Sequence, residues 1–171
     1  KELLKRTNKY DVECWRPYGG LRNVHTKTIN GITHKIFPSQ IFQLGKYDIE
    51  WSPLIISALK NEVKMGNPII HLHGYHKRYI AHTIASKFGD VPIVASHLGG
   101  SCFEHQYFNS TSILGKFSSL LEYLNEKRMF RNMDVIFAGT KKEYRVVSKY
   151  CRASEFFYGV GVDFSKYSNA S

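Results

Sequence analysis

The sequence predicts an α/β fold in which a parallel sheet carries helices on both faces. From residue 69 onward, short apolar segments alternate at least three times with segments whose apolar residues recur at helical spacing. The short segments are apolar along their whole length, as strands buried on both faces are. Strands and helices that alternate in this way form βαβ units. With 43% hydrophobic residues in a chain of 171, a folded core is expected and a disordered chain is excluded.

The sequence pattern in the first third of the chain predicts a β-hairpin. Residues 12–15 form the first clear strand, and two further strand-like segments, 24–29 and 32–37, flank Asn30 and Gly31. This dipeptide best tolerates the positive φ angles of a type I′ turn. The alternative is that Asn30 and Gly31 form a loop leading into a single strand.

The later elements have recognisable ends. Ser52 and Pro53 suit the cap and the first turn of a helix, and Gly66 ends it. After this helix the pattern predicts, in chain order, a strand at 69–73, a helix at 77–88, a strand at 92–96, a helix at 113–132, a strand at 134–138, a helix at 141–150 and a strand at 155–158.

The long helix is expected to bury an apolar face made of Ile113, Phe117, Leu120, Leu121 and Leu124. The segment before it, residues 97–108, is too long to be a simple connection. Long loops in compact domains usually carry function.

The charge balance favours a polyanionic partner. Lysine and arginine number 24 and aspartate and glutamate 14, which leaves a net charge of +10. Such a surface suits nucleic acid, an anionic lipid surface or a phosphate-bearing substrate. The alternative is that the charge only keeps the surface soluble. Apolar stretches are far shorter than the roughly 20 residues of a membrane span. The three cysteines are odd in number and widely spaced, which indicates reduced, intracellular thiols.

The predicted parallel sheet also predicts where a ligand binds. In such sheets ligands lie beyond the carboxyl ends of the strands, where helix N-termini also point. The candidate site residues are therefore those that follow each strand, namely 16–20, 73–77, 97–100, 139–141 and 159–163.

Two of these strand ends are rich in binding groups. After the strand at 69–73, we expect His73, Gly74 and His76 to bind substrate, because imidazoles donate hydrogen bonds and glycine allows close approach. A zinc site at His71, His73 and His76 is a less favoured alternative, since His76 lies beyond the strand that holds the other two. For His71 alone, a buried side chain bonded to backbone is the favoured interpretation.

The other strand end holds His97, followed by Gly99 and Gly100. An imidazole directly after a buried strand, next to two glycines, can present itself and nearby backbone N–H groups to a ligand. The alternative is that His97 only holds its loop in place. Glu104 and His105 in the same loop are weaker candidates for a general acid or base.

Several common catalytic motifs do not occur. No Gly-x-Gly-x-x-Gly sequence follows a strand, and neither a phosphate-binding Gly-x4-Gly-Lys-Ser/Thr loop nor a Gly-x-Ser-x-Gly sequence is present. A thiol nucleophile at Cys102 lacks a recognisable third partner.

The order of the motifs resembles the N-terminal domain of family 4 (group 1) glycosyltransferases of the GT-B fold. The resemblance covers about residues 69–167. It consists of a strand ending in His73-Gly74, the Pro-x-Val-x-x-His-x-Gly segment at 92–99, the Asp-Val-Ile-Phe-Ala-Gly-Thr segment at 134–140, and Gly-Val-Asp at 161–163. The family's usual asparagine before Gly-Val-Asp is replaced by valine in this chain, and residues 1–68 fit the family only loosely.

The resemblance implies a Rossmann-like sheet that forms the acceptor-side half of a two-domain enzyme. Residues 1–171 would then be one domain that lacks the family's first strand and its C-terminal, donor-binding domain. The implied reaction transfers a sugar from a nucleotide-diphosphate sugar to an acceptor hydroxyl, with retention as in the family. His97 matches the family's strand-end histidine and would be the catalytic residue.

The resemblance also implies the partners. They are a sugar nucleotide as donor, an acceptor glycan or lipid-linked acceptor, the C-terminal domain, and an anionic membrane surface. No cofactor and no metal are expected, and the location would be cytoplasmic, at the inner face of the membrane. The alternative function is a non-enzymatic basic α/β module that binds nucleic acid or another polyanion. A GT-B epimerase or phosphorylase half is a third, weaker alternative.

Overall fold

The computed structural model of the chain describes residues 11–44, 47–73, 79–96, 109 and 111–156. Its internal contacts divide the chain into two compact units. The first unit comprises Lys1–Pro68 and His76–Val91, and the second comprises Ile69–Tyr75 and Pro92–Ser171. The prediction of one acceptor-side domain over residues 1–171 stays a prediction.

The first unit holds a mixed four-stranded sheet built around one long strand. The long strand β3 is flanked by β1 on one side, in parallel, and by β2 on the other side, antiparallel. Its second half pairs with β4, also antiparallel. The strands are β1 (Glu13–Gly19), β2 (His25–Ile29), β3 (Ile32–Leu44) and β4 (Tyr47–Trp51).

The predicted hairpin is confirmed. Strands β2 and β3 pair with Ile29 opposite Ile32, so only Asn30 and Gly31 lie between them. Both residues have positive φ angles, 52° at Asn30 and 81° at Gly31. These are the angles of a type I′ turn, whose twist matches that of the two strands.

Helix α1 (Pro53–Met65) begins and ends where the sequence predicts. Ser52 occupies the N-cap position, but its hydroxyl donates to the Pro38 carbonyl at 2.6 Å and makes no capping hydrogen bond. The serine therefore attaches the start of the helix to β3. The first unit also contains helix α2 (Tyr79–Lys87).

The second unit contains a parallel sheet, as predicted. Its four strands follow one another in the order β5-β6-β7-β8, and every neighbouring pair is parallel. The strands are β5 (Ile70–His73), β6 (Ile93–Ser96), β7 (Val135–Ala138) and β8 (Ala153–Phe156), and the helices are α3 (Ile113–Arg131) and α4 (Lys141–Val147). Strand β8 begins two residues earlier than predicted. The chain is thus a mixed α/β protein with a parallel sheet.

The two faces of the parallel sheet differ in exposure. One face is buried and carries Ile70, Ile93, Ala95, Ile136 and Ala138. The residues that alternate with them, including His71, His73 and Ser96, are half-buried or exposed. Coverage of both faces by helices stays a prediction.

One expected core face is wrong. The structure exposes Ile113, Phe117 and Leu124 of α3 to solvent and leaves Leu120 half-buried, while the side chain of Leu121 lies outside the described residues. The helix instead buries Ser119, Glu126, Met129 and Phe130. Its apolar residues are spread around the helix, so the spacing alone selected the wrong side. Among the described residues, no helix is both long and apolar enough to cross a membrane.

Candidate functional site

The candidate site lies at the carboxyl edge of the parallel sheet, where β5 and β6 end together. His73 is the last residue of β5, and it lies opposite Ser96, the last residue of β6. His71 is two residues earlier on β5, so it shares a face of the sheet with His73. The strand alternation and the pairing register therefore bring two imidazoles beside one hydroxyl.

Both imidazoles bond the same hydroxyl. The Ser96 Oγ atom lies 3.1 Å from Nε2 of His71 and 3.0 Å from Nδ1 of His73. The two rings stand nearly perpendicular, with centroids 6.2 Å apart. We call these three residues the His-Ser-His cluster. It is open to solvent, because both histidine residues are exposed as a whole, while the His71 imidazole itself is partly buried.

The hydroxyl has a single hydrogen, and this sets the protonation of the His-Ser-His cluster. Ser96 can donate to only one imidazole, so the other must carry a proton on the nitrogen that faces Oγ and donate it. At least one of the two bonds therefore runs from an imidazole N–H to Oγ. The cluster contains donors and acceptors that a ligand hydroxyl can pair with in either direction.

Burial and charge keep His71 neutral. Partial burial lowers the pKa of the His71 imidazole, and the neighbouring His73 imidazole lowers it further. Both causes disfavour the His71 imidazolium, because its charge loses hydration and lies close to a second imidazole. A neutral imidazole can accept a hydrogen bond or a proton at physiological pH.

At the end of β7, side chains of the protein itself already accept hydrogen bonds from the backbone N–H groups. At the start of α4, Thr140 Oγ1 accepts from the backbone N–H of Glu143 at 3.2 Å. The Glu143 carboxylate accepts from the backbone N–H of Gly139 at 3.0 Å and is only 1% exposed. A buried carboxylate at this position repels an anionic ligand. Residues 139–141 stay a predicted part of the site, in which the Glu143 carboxylate disfavours an anionic ligand.

The structure describes only some of the predicted site residues. His73 is a member of the His-Ser-His cluster. Gly74, His76, His97, Gly99 and Gly100 lie outside the described residues, as do Cys102, Glu104, His105 and residues 159–163. Residues 16–19 belong to β1 of the first unit, so their expected place at the edge of the parallel sheet is wrong.

Sequence reasoning missed two members of the cluster. It favoured a buried, backbone-bonded His71, whereas His71 is exposed and bonds the Ser96 side chain. It did not single out Ser96. The signal was present in the alternation of His71 and His73, and in a polar residue at the end of the next strand. Within the described parts of the chain, no three His, Cys, Asp or Glu side chains are grouped to hold a metal ion.

Comparisons of the chain with models of protein families, with curated proteins and with solved structures find no match. The fold and the site geometry are therefore the basis for a functional proposal.

Proposed function

We propose that this chain is the acceptor-side domain of a family 4 type glycosyltransferase of the GT-B fold. It would bind an acceptor whose hydroxyl receives a sugar from a nucleotide-diphosphate sugar. The single observation that carries this proposal is the His-Ser-His cluster at the carboxyl edge of a parallel sheet. That edge is where α/β sheets bind ligands. His97 is the next residue after Ser96, and Gly74 is the next after His73.

The chemistry of sugar transfer suits these groups. The bond between the anomeric carbon and the leaving phosphate oxygen breaks, a bond to the acceptor oxygen forms, and the hydroxyl proton of the acceptor passes to the leaving phosphate. Charge develops on the leaving phosphate and on the sugar ring, so oriented donors matter more than a strong base. A neutral His71 can accept a hydrogen bond from the acceptor hydroxyl. His97 would orient the reacting sugar, and His73, Gly74, His76, Gly99 and Gly100 would contact substrate.

The first test uses the 171-residue chain itself. We expect it to bind sugar nucleotide weakly and to transfer no sugar, because the donor would be held by a separate C-terminal domain. Sugar nucleotide binding is measured by isothermal titration calorimetry, and transfer by release of nucleoside diphosphate. Transfer or donor hydrolysis by the chain alone would contradict the split-site model.

The second test uses the full-length gene product. Replacing Ser96 by alanine removes the hydroxyl that holds both imidazoles, and we expect kcat/KM to fall by about 10- to 100-fold, the effect of one or two misplaced hydrogen bonds. Ser86→Ala is the matched control, since Ser86 is an exposed helical serine whose hydroxyl donates to the Thr83 carbonyl. Equal activity of Ser96→Ala and Ser86→Ala would remove the cluster from the reaction.

A second candidate function is the binding of a polyanion such as nucleic acid. It is favoured by one face of the first sheet, where the pairing register places Arg16 and His25 on either side of Ile36, and Lys27 beside His34. On this face, strand residues 13–19, 25–29 and 32–39 contribute no carboxylate. Phosphate binding depends on such cations and weakens steeply with salt.

A titration with single-stranded RNA at several salt concentrations tests this second function. We expect the double variant Arg16→Gln with Lys27→Gln to bind more weakly and to show a shallower salt slope. Lys60→Gln, at an exposed position of α1, is the control. RNA binding that is unchanged in the double variant would exclude this face.

A further inference from the structure

The strongest unexplained surface lies on helix α3. Four large apolar side chains of this helix are exposed, namely Ile113 (86% exposed), Leu114 (83%), Phe117 (63%) and Leu124 (50%). We call them the α3 stripe. Exposed apolar residues that occur singly need no explanation, but a group of large ones on one element indicates an interaction surface.

Helical geometry shows that the α3 stripe is continuous. An α-helix turns by about 100° per residue, so Ile113, Phe117 and Leu124 lie within about 40° of one another. Leu114 lies at the side of the same arc. The opposite side of the helix is buried through Ser119, Met129 and Phe130. The exposure is therefore a property of one face of the helix, and the opposite face is buried.

The charges on this exposed arc have one sign. Lys116, Arg128 and Arg131 lie on it and are exposed. The two carboxylates of α3 lie on the other side of the helix, where Glu126 is 2% exposed and Glu122 is half-buried. The α3 stripe is thus accompanied by cations alone, with two of them in the last turn.

Exposed apolar side chains accompanied by lysine and arginine suit the surface of an anionic membrane, and α3 would dock there as part of the folded chain, because its opposite face is buried. The apolar side chains enter the boundary between headgroups and acyl chains, and the cations contact anionic headgroups. We propose that α3 docks this face onto an anionic lipid bilayer, with the helix axis parallel to the membrane plane. The net charge of +10 attracts the chain to an anionic surface at longer range.

The charge pattern favours a bilayer over a second copy of the chain. If two α3 faces paired with each other, cations would meet only cations in either orientation, because the exposed arc carries no carboxylate. Like charges placed together in an interface oppose association. An anionic lipid surface pairs with the cations and covers the apolar side chains at the same time. This inference does not depend on the proposed sugar transfer, since it concerns only α3.

Vesicle sedimentation of the 171-residue chain tests the proposal. Vesicles of phosphatidylcholine alone are compared with vesicles that also contain phosphatidylglycerol. We expect binding to the anionic vesicles, weak binding to the neutral ones, and a loss of binding at high salt. Absence of binding to the anionic vesicles would overturn the proposal.

Two variants then separate the apolar and the charged contributions. Phe117→Asn should weaken binding to anionic vesicles by about tenfold or more, because one exposed aromatic side chain no longer enters the bilayer. Arg128→Gln should weaken it by about fivefold, since each cation near an anionic surface contributes a comparable amount. Both positions are exposed, so circular dichroism should show an unchanged fold.

Met65→Asn is the matched control, because Met65 is a 75% exposed apolar residue at the end of α1. It should bind vesicles as the unmodified chain does. If Phe117→Asn binds as tightly as Met65→Asn, the α3 stripe is not the docking surface. If the chain instead forms a dimer that Phe117→Asn abolishes and does not bind vesicles, a second copy covers the stripe and the membrane proposal is wrong.

Discussion

Asp134, the residue before β7, forms hydrogen bonds with the first residues of β6 and β8. Its replacement tests how much its side chain stabilises the second unit. Its carboxylate accepts from the backbone N–H of Ile93 at 2.9 Å, while its own backbone N–H donates to the Ile93 carbonyl at 2.9 Å. Its carbonyl accepts from the backbone N–H of Ala153 at 3.1 Å. The backbone bonds survive a change of side chain, so only the bond to the Ile93 N–H is lost in Asp134→Ala.

The expected magnitude follows from the position of Ile93. This residue is 0% exposed, so its N–H is left without its acceptor in a buried place. An unsatisfied buried donor costs about 1–3 kcal/mol, and hydrogen bonds to charged groups lie toward the upper end of that range. Asp134→Asn keeps an oxygen that can accept from the same N–H, so it should cost less than about 1 kcal/mol.

The Asp134 carboxylate also lies 3.6 Å from Arg152, but the side chain of Arg152 is 82% exposed. An exposed ion pair of this length contributes little. Arg152→Ala should therefore change the free energy of unfolding by less than about 0.5 kcal/mol. This variant separates the loss of the ion pair from the loss of the hydrogen bond.

Urea unfolding followed by circular dichroism measures the three variants against the unmodified chain. We expect Asp134→Ala to be the least stable, Asp134→Asn to be intermediate, and Arg152→Ala to be nearly unchanged. If Asp134→Ala unfolds within about 0.5 kcal/mol of the unmodified chain, water replaces the carboxylate and the reasoning fails. If Arg152→Ala is as damaging as Asp134→Ala, the ion pair is what matters.

Three further predictions concern local features. Ser52→Ala should destabilise the first unit by about 1–3 kcal/mol in urea unfolding, because the hydroxyl that donates to the Pro38 carbonyl is fully buried. Ser52→Thr keeps the hydroxyl, so it should be less destabilising than Ser52→Ala. Gly31→Ala should lower the free energy of unfolding by about 1 kcal/mol in the same assay, because Gly31 has a φ of +81°, which alanine adopts only with strain. An added methyl group would contact nothing, so the cost comes from the backbone alone. An unchanged stability would argue against the type I′ turn. Burial lowers the pKa of the His82 imidazole, so His82 binds its proton at a higher pH in the unfolded chain than in the folded one, and the free energy of unfolding should fall as the pH drops below about 6.5. Urea unfolding between about pH 8 and pH 5.5 should show a smaller fall for His82→Gln than for the unmodified chain. An equal fall in the two proteins would contradict this prediction.

The local signals in the sequence were sufficient for the order and the type of most elements. Asn30 and Gly31 determine a turn through their own backbone preferences, and Pro53 begins a helix because its ring favours the first turn. The apolar strands of the second unit predicted parallel neighbours, which their pairing confirms. These features depend on a few adjacent residues, so reading them requires no knowledge of distant contacts.

The candidate site was only partly predictable. Strand alternation places His71 and His73 on one face, and His73 was expected at the strand end. The pairing partner of His73 depends on the register between β5 and β6, whose residues are more than twenty positions apart in the chain. The sequence shows that Ser96 is a polar residue at a strand end, but its pairing with His73 depends on this long-range register.

The sequence by itself determined the α/β alternation, the hairpin, the ends of α1 and the excess of positive charge. Only the tertiary structure decided that β1 runs parallel to β3, that two imidazoles meet at Ser96, and that α3 buries Met129 and Phe130 while exposing Phe117. The physical reason is that an element with apolar residues on several sides can be buried on any of them. Which side is covered depends on the partners that the rest of the chain brings to it.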